Sequence, residues 1–396
     1  MLRVLNVNTS LDAVRGGGGV ERTFQITRYL VRAGVRCTVL TTDVGLTEAR
    51  LRELAGAEVI ALPCLVRRLY LPRPSIGRIR DAVARADVVH LMAHWSILNV
   101  LTYLVVRCLG KPYVVCPVGT LVIYGRSKLL KRAYNLLFGY RMLRNAAFCV
   151  AVTRDEVHTL AQHGVPPERI VVIPNGVPED DFGDATEPAF RARLGLGASP
   201  FILFVGRLNP IKGPDLLVKA FCRGAAQFPD FHLVMAGADE GMLAELRQLV
   251  AESGLEHRVH FVGYLGGAEK SRVYHAASVL VIPSRHEAMS IVALEAGICA
   301  TPVLITDQCG FNKVADVSGG RVVAADADAI ETALRGMLTD RIALGEMGRR
   351  LKAYVRDEFT WQIMIAKYVE LYRRCTGNDE RRDTDARGPG RREVRA

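Results

Sequence analysis

Two glutamates flank a run of small and apolar residues in the segment PSRHEAMSIVALEAG, residues 283–297. Carboxylates accept hydrogen bonds from vicinal hydroxyl groups such as those of sugars and riboses. We expect Glu287 in the loop after a strand, and Glu295 about two turns into the following helix. Because its neighbours are largely apolar, Glu295 is expected to be semi-buried and to need a partner. Two alternatives remain: Glu287 as a helix N-terminal charge, and Glu295 on a solvated face.

Two cations lie on one short predicted loop, GRLNPIKG, residues 206–213, directly after the apolar run FILFV. Lys212 stands beside the start of the next predicted helix. A diphosphate there would meet both side-chain charge and the positive end of a helix dipole. Taken alone, Arg207 and Lys212 are more often solvated surface cations. Together with the two glutamates, they favour an anion-binding site.

The segment RGGGGVE follows the first predicted strand and opens the first predicted helix. Its glycines, with Gly17 and Gly18 as the candidates, can bring backbone N–H groups close to an anion. The spacing is neither GxGxxG nor that of a phosphate-binding loop with a Lys-Ser/Thr pair. A flexible turn without a ligand is an equal alternative.

Short β-branched runs alternate with amphipathic stretches, which is typical of parallel sheets covered by helices. In the first predicted helix, Val20, Phe24, Thr27 and Val31 recur at helical spacing, and Gly34 stands at the expected C-terminal cap. At 396 residues the chain is too long for one ordinary core. We therefore predict an α/β fold with two doubly wound, Rossmann-like domains facing a central cleft, where strand carboxyl ends meet.

The predicted boundaries follow the repeat of this alternation. The strand segments are RVLNVN, CTVLTT, DVVHLMA, KPYVVCPVG, AAFCVAVT and IVVIPNG in the first half, and PFILFVGRL, FHLVMAG, HRVHFVGYL, SVLVIPS and TPVLITD in the second. We expect an N-terminal Rossmann-like domain (1–177), a linker (178–199), a C-terminal Rossmann-like domain (200–358), a helix returning to the first domain (359–375) and a disordered tail (376–396).

The second half resembles the retaining GT-B glycosyltransferases that use nucleotide sugars, whose hallmark is a pair of glutamates spaced as Glu287 and Glu295 are. Matching segments are FVGRLNPIKGPDLLVKAF, VHFVGYL, VIPNGV and the closing FTWQIMIAKYVELY, in this order, and the similarity runs over residues 1–375. The resemblance implies a retaining hexosyl transfer from a nucleoside diphosphate sugar, with no metal and no other cofactor.

The resemblance implies that the N-terminal domain binds the acceptor and the C-terminal domain the nucleotide sugar. It also implies roles for individual residues. Arg207 and Lys212 would neutralise the donor diphosphate, Glu287 would contact the transferred sugar, and Glu295 the ribose. Four further residues would contact the donor: Gly206, Gly263, Ser290 and Ile291. The expected catalytic residues are thus Glu287, Arg207 and Lys212.

Departures from the family concern the acceptor side. The family commonly has histidines where this chain has Met92 and Val118, so His90 and His94 are the candidates for an acceptor or sugar pocket. A single histidine on an apolar strand is more often a core residue. An Asp-x-Asp pattern, Asp326 and Asp328, precedes a predicted helix, where we interpret Asp326 as an N-cap rather than a metal ligand.

The formal net charge is +11, and no acidic residue occurs between Asp87 and Asp155. The segment GRSKLLKRAYNLLFGYRMLR interleaves cations with Leu, Tyr and Phe, as an interfacial helix does. An anionic membrane surface is therefore the expected partner. A solvated basic face remains an alternative, and no nucleic-acid-binding motif supports nucleic acid as the partner.

Nine scattered cysteines without a CxxC pair indicate reduced thiols in a reducing compartment. We expect a cytoplasmic protein, peripheral at the inner face of the cell membrane, that transfers a hexose to a lipid-linked or polysaccharide acceptor in cell-surface glycan biosynthesis. The alternative is a membrane-associated sugar-nucleotide-binding protein without transfer activity.

Overall fold

The structure, a computed structural model, describes residues 1–14, 16–73, 75–122, 128–183 and 188–377. The chain forms two compact units: unit 1 is Met1–Ile173 with Met364–Ala396, and unit 2 is Pro174–Ile363. Several residues of the sequence predictions lie outside the described residues: Arg15 of the glycine segment, Arg126 of the basic segment, 184–187 of the linker and 378–396 of the tail.

Unit 1 is built on a seven-stranded parallel sheet and a small antiparallel pair. Its strands are β1 (Arg3–Val7), β2 (Arg36–Thr42), β3 (Glu58–Leu62), β4 (Cys64–Val66), β5 (Leu71–Pro72), β6 (Val88–Met92), β7 (Tyr113–Cys116), β8 (Phe148–Ala151) and β9 (Ile170–Val172). The sheet order is β3-β2-β1-β6-β7-β8-β9, and β4 pairs only with β5. Strand order reverses beside β1.

Helices cover the faces of this sheet. They are α1 (Gly17–Arg32), α2 (Glu48–Glu53), α3 (Ile76–Arg85), α4 (Ile97–Cys108), α5 (Lys128–Tyr134), α6 (Tyr140–Arg144) and α7 (Arg154–Gln162), with short 3-10 turns at Arg67–Leu69 and Pro167–Arg169. A π turn, Asn135–Gly139, joins α5 to α6 without a break in helical backbone. Residues 128–144 are therefore one continuous helical run.

Unit 2 repeats the design with a six-stranded parallel sheet of order β12-β11-β10-β13-β14-β15. Its strands are β10 (Phe201–Val205), β11 (His232–Ala236), β12 (Val259–Gly263), β13 (Val279–Ile282), β14 (Val303–Thr306) and β15 (Gly320–Val323). Its helices are α8 (Pro188–Arg193), α9 (Pro214–Gly224), α10 (Leu243–Glu252), α11 (Gly267–Ala276), α12 (Ile291–Ile298), α13 (Lys313–Asp316), α14 (Ala327–Leu338) and α15 (Arg341–Glu358), with a 3-10 turn at Glu179–Phe182. The last helix, α16 (Trp361–Cys375), begins in unit 2 and ends in unit 1.

Each unit has its own apolar core between sheet and helices. The central strands β1, β6, β10 and β13 are almost entirely buried, as expected for parallel strands covered on both faces. Two doubly wound parallel sheets confirm the predicted α/β class.

The first helix follows its predicted periodicity. Val20, Phe24 and Thr27 are buried along one side of α1, and Val31, the fourth predicted position, is half-buried. Gly34 adopts a left-handed φ of 76°, and Val35 N–H donates to the carbonyl of Leu30, which closes the helix end. The predicted glycine cap is confirmed.

Two edge strands carry too little periodic signal to be predicted. β3 alternates in exposure beside an acidic residue, and β15 starts at one of two consecutive glycines. The other two edge strands, β9 and β12, were predicted because their segments contain apolar and β-branched runs, so the weak signal of β3 and β15 comes from their own sequences.

The change of unit falls at Ile173, a few residues before the predicted boundary at 177. Ile173 N–H donates to the carbonyl of Ala151 and is the last residue to bond the unit 1 sheet. Asn175 instead donates to the carbonyl of Met289 at 3.0 Å. The side chain of Asn175 thereby fixes the start of unit 2.

Polar side chains are buried in unit 1 where α16 meets α1 and β6. The guanidinium of Arg22 donates to Tyr368 Oη at 2.6 Å and to the Ile173 carbonyl at 2.7 Å. His90 Nδ1 lies 2.8 Å from Tyr372 Oη. Burial, and then the Arg22 charge, lowers the pKa of His90 to about 3, so the imidazole is neutral. These bonds anchor the second half of α16 to unit 1.

The substitution Tyr368→Phe removes the hydroxyl that accepts from buried Arg22. We expect the free energy of unfolding to fall by about 1–3 kcal/mol, because a charged donor is left with fewer acceptors. Urea unfolding followed by circular dichroism measures this change. Tyr140→Phe, on a half-buried ring of unit 1, is the control and should cost less; equal costs for the two variants would contradict a special role for the Arg22 contact.

Candidate functional site

Two loops bring opposite charges together at the carboxyl end of the unit 2 sheet. Lys212 lies on the loop after β10, and Glu287 on the loop after β13. Lys212 Nζ is 2.9 Å from Glu287 Oε1, and the two side chains are 24% and 8% exposed. Because β10 and β13 are adjacent parallel strands, both loops leave the same edge of the sheet. The sequence prediction named both residues, and the structure makes them a direct pair.

Close backbone contact holds these two loops together. Gly213 has a left-handed φ of 63°, and a Cβ atom there would stand 2.1 Å from the carbonyl oxygen of Pro283. Arg285 N–H donates to the carbonyl of Ile211 at 2.8 Å, and its guanidinium donates to the Pro210 carbonyl at 2.8 Å. Only glycine fits position 213, so the turn before α9 depends on it.

Arg285 also clamps the first turn of α9. Its two terminal nitrogens donate to the two carboxylate oxygens of Asp215 at 2.8 and 2.6 Å, a bidentate pair. Burial alone would raise the pKa of Asp215, but the Arg285 hydrogen bonds and charge outweigh it, so the pKa lies below its usual value. Arg285 thus holds the chain on both sides of Lys212, at Pro210 and Ile211 before it and at Asp215 after it.

Arg207, the second predicted cation, has an acidic partner from the neighbouring strand end. Its guanidinium donates to Glu240, after β11, at 3.0 Å, and Asn209 donates to the same carboxylate at 2.6 Å. Asn209 Oδ1 also accepts from Lys212 N–H at 3.0 Å. Glu240 therefore braces the loop that carries both Arg207 and Lys212 from the neighbouring strand end.

The loop that carries Glu287 is held by the strand beside it. Glu287 N–H donates to the Gln308 carbonyl at 2.9 Å, and Ser290 N–H to the Cys309 carbonyl at 3.0 Å. Ser284 Oγ donates to Glu287 Oε1. Glu287 Oε1 thus receives both Ser284 and Lys212, which orients the carboxylate.

Glu295 is buried and has the partners that its apolar surroundings required. Lys270 Nζ lies 2.6 Å from both carboxylate oxygens, and Tyr274 Oη donates to Oε2 at 2.7 Å. Glu295 is the fifth residue of α12, hence about one turn into the helix rather than two, because Ser290 is the N-cap. The expectation of a partner is confirmed; the ribose contact stays a prediction.

The remaining donor candidates of unit 2 lie at strand or helix ends. Gly206 follows β10, and its N–H donates to the Ala236 carbonyl at 2.9 Å. Gly263 ends β12 with a left-handed φ of 74° and is exposed. Ile291 is the first residue of α12, while the Ser290 hydroxyl is buried without a hydrogen-bond partner among the described residues.

The other candidates belong to unit 1. Gly17 and Gly18 form the first turn of α1, with a left-handed φ of 64° at Gly17, so the predicted opening of the helix by glycines is confirmed. His90, in β6, is fully buried beneath α16. His94, in the loop after β6, is also fully buried, and its Nε2 lies 2.7 Å from Asn135 Oδ1. Burial lowers the pKa of His94 to about 4, so it too is neutral.

Strained backbone marks the loops after β6 and β7. Ala93 and Val118 have left-handed φ values of 62° and 53°, which cost free energy for residues with a Cβ. The turn at Val118 directs Gly119 N–H to buried Glu156 Oε1 at 2.6 Å, and Val152 N–H donates to the other oxygen at 2.8 Å. Burial raises the pKa of Glu156 although both amides and Arg22 oppose this.

Asp326 is a helix cap, as predicted: it accepts from the amides of Asp328 and Ala329. In the described part of the chain, no group of three or more His, Cys, Asp or Glu side chains is placed to hold a metal ion.

Sequence reasoning missed the partners that position the predicted residues: Arg285, Asp215, Glu240, Lys270 and Tyr274. Arg285 and Asp215 lie within a few residues of Glu287 and Lys212, so the neighbouring charges were a usable signal. Lys270 is separated from Glu295 by a strand and two loops, and only the fold brings them together.

Two parallel, doubly wound sheets with reversed strand order beside β1 and β10 are the architecture of the GT-B class. The model for "Glycosyl transferase 4-like domain" matches residues 17–176, and that for "Glycosyl transferases group 1" matches residues 187–358. This chain belongs to that family of glycosyltransferases, which are enzymes.

Two curated relatives of this chain carry the same activity name. The D-inositol 3-phosphate glycosyltransferase of Geodermatophilus obscurus is 34% identical over 235 residues, covering 56% of this chain and 51% of the relative. That of Mycobacterium tuberculosis is 33% identical over 240 residues, covering 57% and 48%. The chain spans about half the length of the curated relatives it matches.

Solved structures match the fold over nearly the whole chain. Anabaena HepE in complex with UDP and glucose has a TM-score of 0.78 at 18% identity, covering 94% of this chain and 99% of that one. WaaG, a glycosyltransferase involved in lipopolysaccharide biosynthesis, has a TM-score of 0.66 at 20% identity, covering 94% and 100%. At these identities the likeness establishes the fold alone.

The Asp215–Arg285 pair predicts an acid-sensitive contribution to stability. A carboxylate with a depressed native pKa stabilises fully above its unfolded value of about 3.9 and loses this as pH falls through the native value. Asp215→Asn should lower the free energy of unfolding by about 1–3 kcal/mol near neutral pH and less below pH about 3.5. Urea unfolding across this pH range measures the difference; a pH-independent difference would contradict the assignment.

Proposed function

We propose that this protein is a retaining glycosyltransferase that moves a hexose from a nucleoside diphosphate sugar to a lipid-linked or polysaccharide acceptor in cell-surface glycan biosynthesis. The observation that carries the proposal is the Lys212–Glu287 pair at adjacent strand ends of unit 2, at 2.9 Å. One member suits a departing diphosphate and the other suits sugar hydroxyls.

Breaking the bond between sugar and diphosphate leaves negative charge on the nucleoside diphosphate. Lys212 and Arg207 lie on one loop and already pair with the carboxylates of Glu287 and Glu240. A diphosphate that binds there would replace the two carboxylates as the partner of Lys212 and Arg207. Cations fixed before the reaction stabilise the developing charge without reorganisation.

Glu287 would then lose its ion pair with Lys212 and become available to the sugar. Once Lys212 turns to phosphate, Oε1 of Glu287 keeps its bond from Ser284, and the carboxylate can accept hydroxyl hydrogen bonds. Glu295, held by Lys270 and Tyr274, is the proposed ribose contact further along the ligand. No metal or other cofactor is needed for these roles.

The donor and acceptor are proposed from chemistry and likeness. Solved relatives of the same fold contain UDP and glucose, which makes UDP-glucose the first donor to test. The net charge of +11 favours an anionic acceptor. We place the reaction at the cytoplasmic face of the cell membrane, where lipid-linked acceptors are accessible to a peripheral enzyme. Of the described helices, none is long and apolar enough to span a bilayer.

The test pairs binding with turnover. Thermal shift with UDP, GDP, ADP and dTDP should single out one base, because a ligand of the native state raises stability. Lys212→Ala should weaken that shift and lower donor hydrolysis by about a hundredfold or more. Glu287→Ala should keep the nucleotide shift but lose hydrolysis to a similar degree. NMR of the product with an acceptor would identify retention at the anomeric carbon.

The control is Arg335→Ala, which removes an exposed cation of α14. It should leave both the shift and hydrolysis unchanged. Retention of full activity by Lys212→Ala and Glu287→Ala would overturn the proposed roles. A selective nucleotide shift without any hydrolysis or transfer would instead support the alternative, a sugar-nucleotide-binding protein.

A further inference from the structure

The helical run of residues 128–144 in unit 1, hereafter the basic apolar helix, presents leucines to solvent. Leu129, Leu130, Leu136 and Leu137 are 78, 69, 73 and 56% exposed. The two pairs are seven residues apart, about two turns, so they lie on one side of the helix. Single exposed leucines are ordinary, but four on one side of a helix form an apolar stripe that indicates an interaction surface.

All charged residues of the basic apolar helix are cations. The helix carries Lys128, Lys131, Arg132, Arg141 and Arg144, and it contains no acidic residue. Lys128, Arg132 and Arg141 are exposed. A stripe of leucines flanked by positive charge is complementary to a surface that is apolar beneath and anionic above.

The opposite side of the helix holds the loop after β6. Tyr134 Oη donates to the His94 carbonyl at 2.6 Å, and Asn135 in the π turn bonds the His94 ring. Lys131 Nζ lies 5.5 Å from the centre of the Trp95 ring, which packs edge-on against Tyr134. A π turn inserts one residue into a helix and is frequent at functional sites. Here it turns Asn135 inward.

Other occupants fit the surface less well. A second copy of this helix would bring cations against cations, since neither partner offers an acid. Nucleic acid would satisfy the charge but would leave four leucines in water. An anionic bilayer satisfies both, with leucines at the headgroup and acyl boundary and cations among the headgroups.

We propose that the basic apolar helix docks unit 1 on an anionic lipid bilayer through its four leucines and exposed cations, and that docking changes the surroundings of the His94–Trp95 loop. The inference rests on the proposed function, because a lipid-linked acceptor would lie at this surface. The loop at the carboxyl end of β6 is thereby coupled directly to the membrane-facing helix.

Binding is tested by co-sedimentation of the full chain with vesicles. Phosphatidylcholine vesicles containing phosphatidylglycerol should bind the protein, and pure phosphatidylcholine vesicles should bind at least about tenfold less. Substituting all four leucines, as Leu129→Gln, Leu130→Gln, Leu136→Gln and Leu137→Gln, should lower binding by more than about tenfold. Replacing Lys128, Arg132 and Arg141 by Gln should lower it by about tenfold or more and reduce its salt dependence.

Ile342→Gln is the matched control, since Ile342 is 79% exposed on α15 of unit 2. It should leave vesicle binding unchanged. The nucleotide thermal shift should persist in every variant, so loss of membrane binding is distinguished from loss of donor binding. A failed donor screen with intact vesicle binding would overturn the proposed function and leave the docking surface standing.

Coupling to the loop has its own reporter, because the chain contains two tryptophans. Trp95 is half-buried beside the helix, and Trp361 is 1% exposed in unit 2. Vesicle binding should shift tryptophan emission and reduce its quenching by acrylamide. Both changes should vanish in Trp95→Phe, although that variant still binds vesicles.

Three results would overturn the proposal. The first is unchanged vesicle binding by the four-leucine variant, which would make the interaction purely electrostatic. In that case, displacement of the protein from vesicles by DNA would identify a surface that binds polyanions in general. The second is a dimer that dissociates only in that variant, which would assign the leucines to a second copy. The third is vesicle binding with no change in Trp95 emission, which would remove the coupling.

Discussion

The contact between Gly213 and the Pro283 carbonyl is the constraint on which the candidate site depends. It lets the loop after β10 touch the loop after β13, and Arg285 then bonds Pro210, Ile211 and Asp215 across the contact. A flexible lysine loses rotamer freedom when it is held at one place. The backbone contact fixes the loop that carries Lys212, and the ion pair with Glu287 holds the lysine side chain itself.

Charges at this edge of the sheet are balanced before any ligand binds. Lys212 pairs with Glu287, Arg207 with Glu240, and Arg285 with Asp215. The last pair is structural, whereas the first two contain the cations that we propose for the donor diphosphate. In the proposed reaction the donor diphosphate would replace Glu287 and Glu240 as the partner of these two cations, and Glu287 would keep the hydrogen bond from Ser284 Oγ.

Much of the fold was readable from the sequence because buried parallel strands are continuous apolar runs. The strands β3 and β15 were missed, since they carry short, mixed sequences. Lys212, Glu287 and the need of Glu295 for a partner were predicted from residue type and neighbourhood. Lys270 and Tyr274 were not, because their proximity to Glu295 arises from packing between α11 and α12. Burial of His90 beneath α16 likewise depends on a helix some 280 residues later in the chain.

Unit 2 is one uninterrupted stretch of chain, whereas unit 1 is completed only by the last helix. During synthesis, the whole of unit 2 emerges from the ribosome before Tyr368 and Tyr372 do. Until then Arg22 and His90 lack the partners that cover them in the finished protein. Unit 1 is therefore completed only after α16 has been made, although most of its chain precedes unit 2, and the side chains that α16 covers stay in contact with water until then.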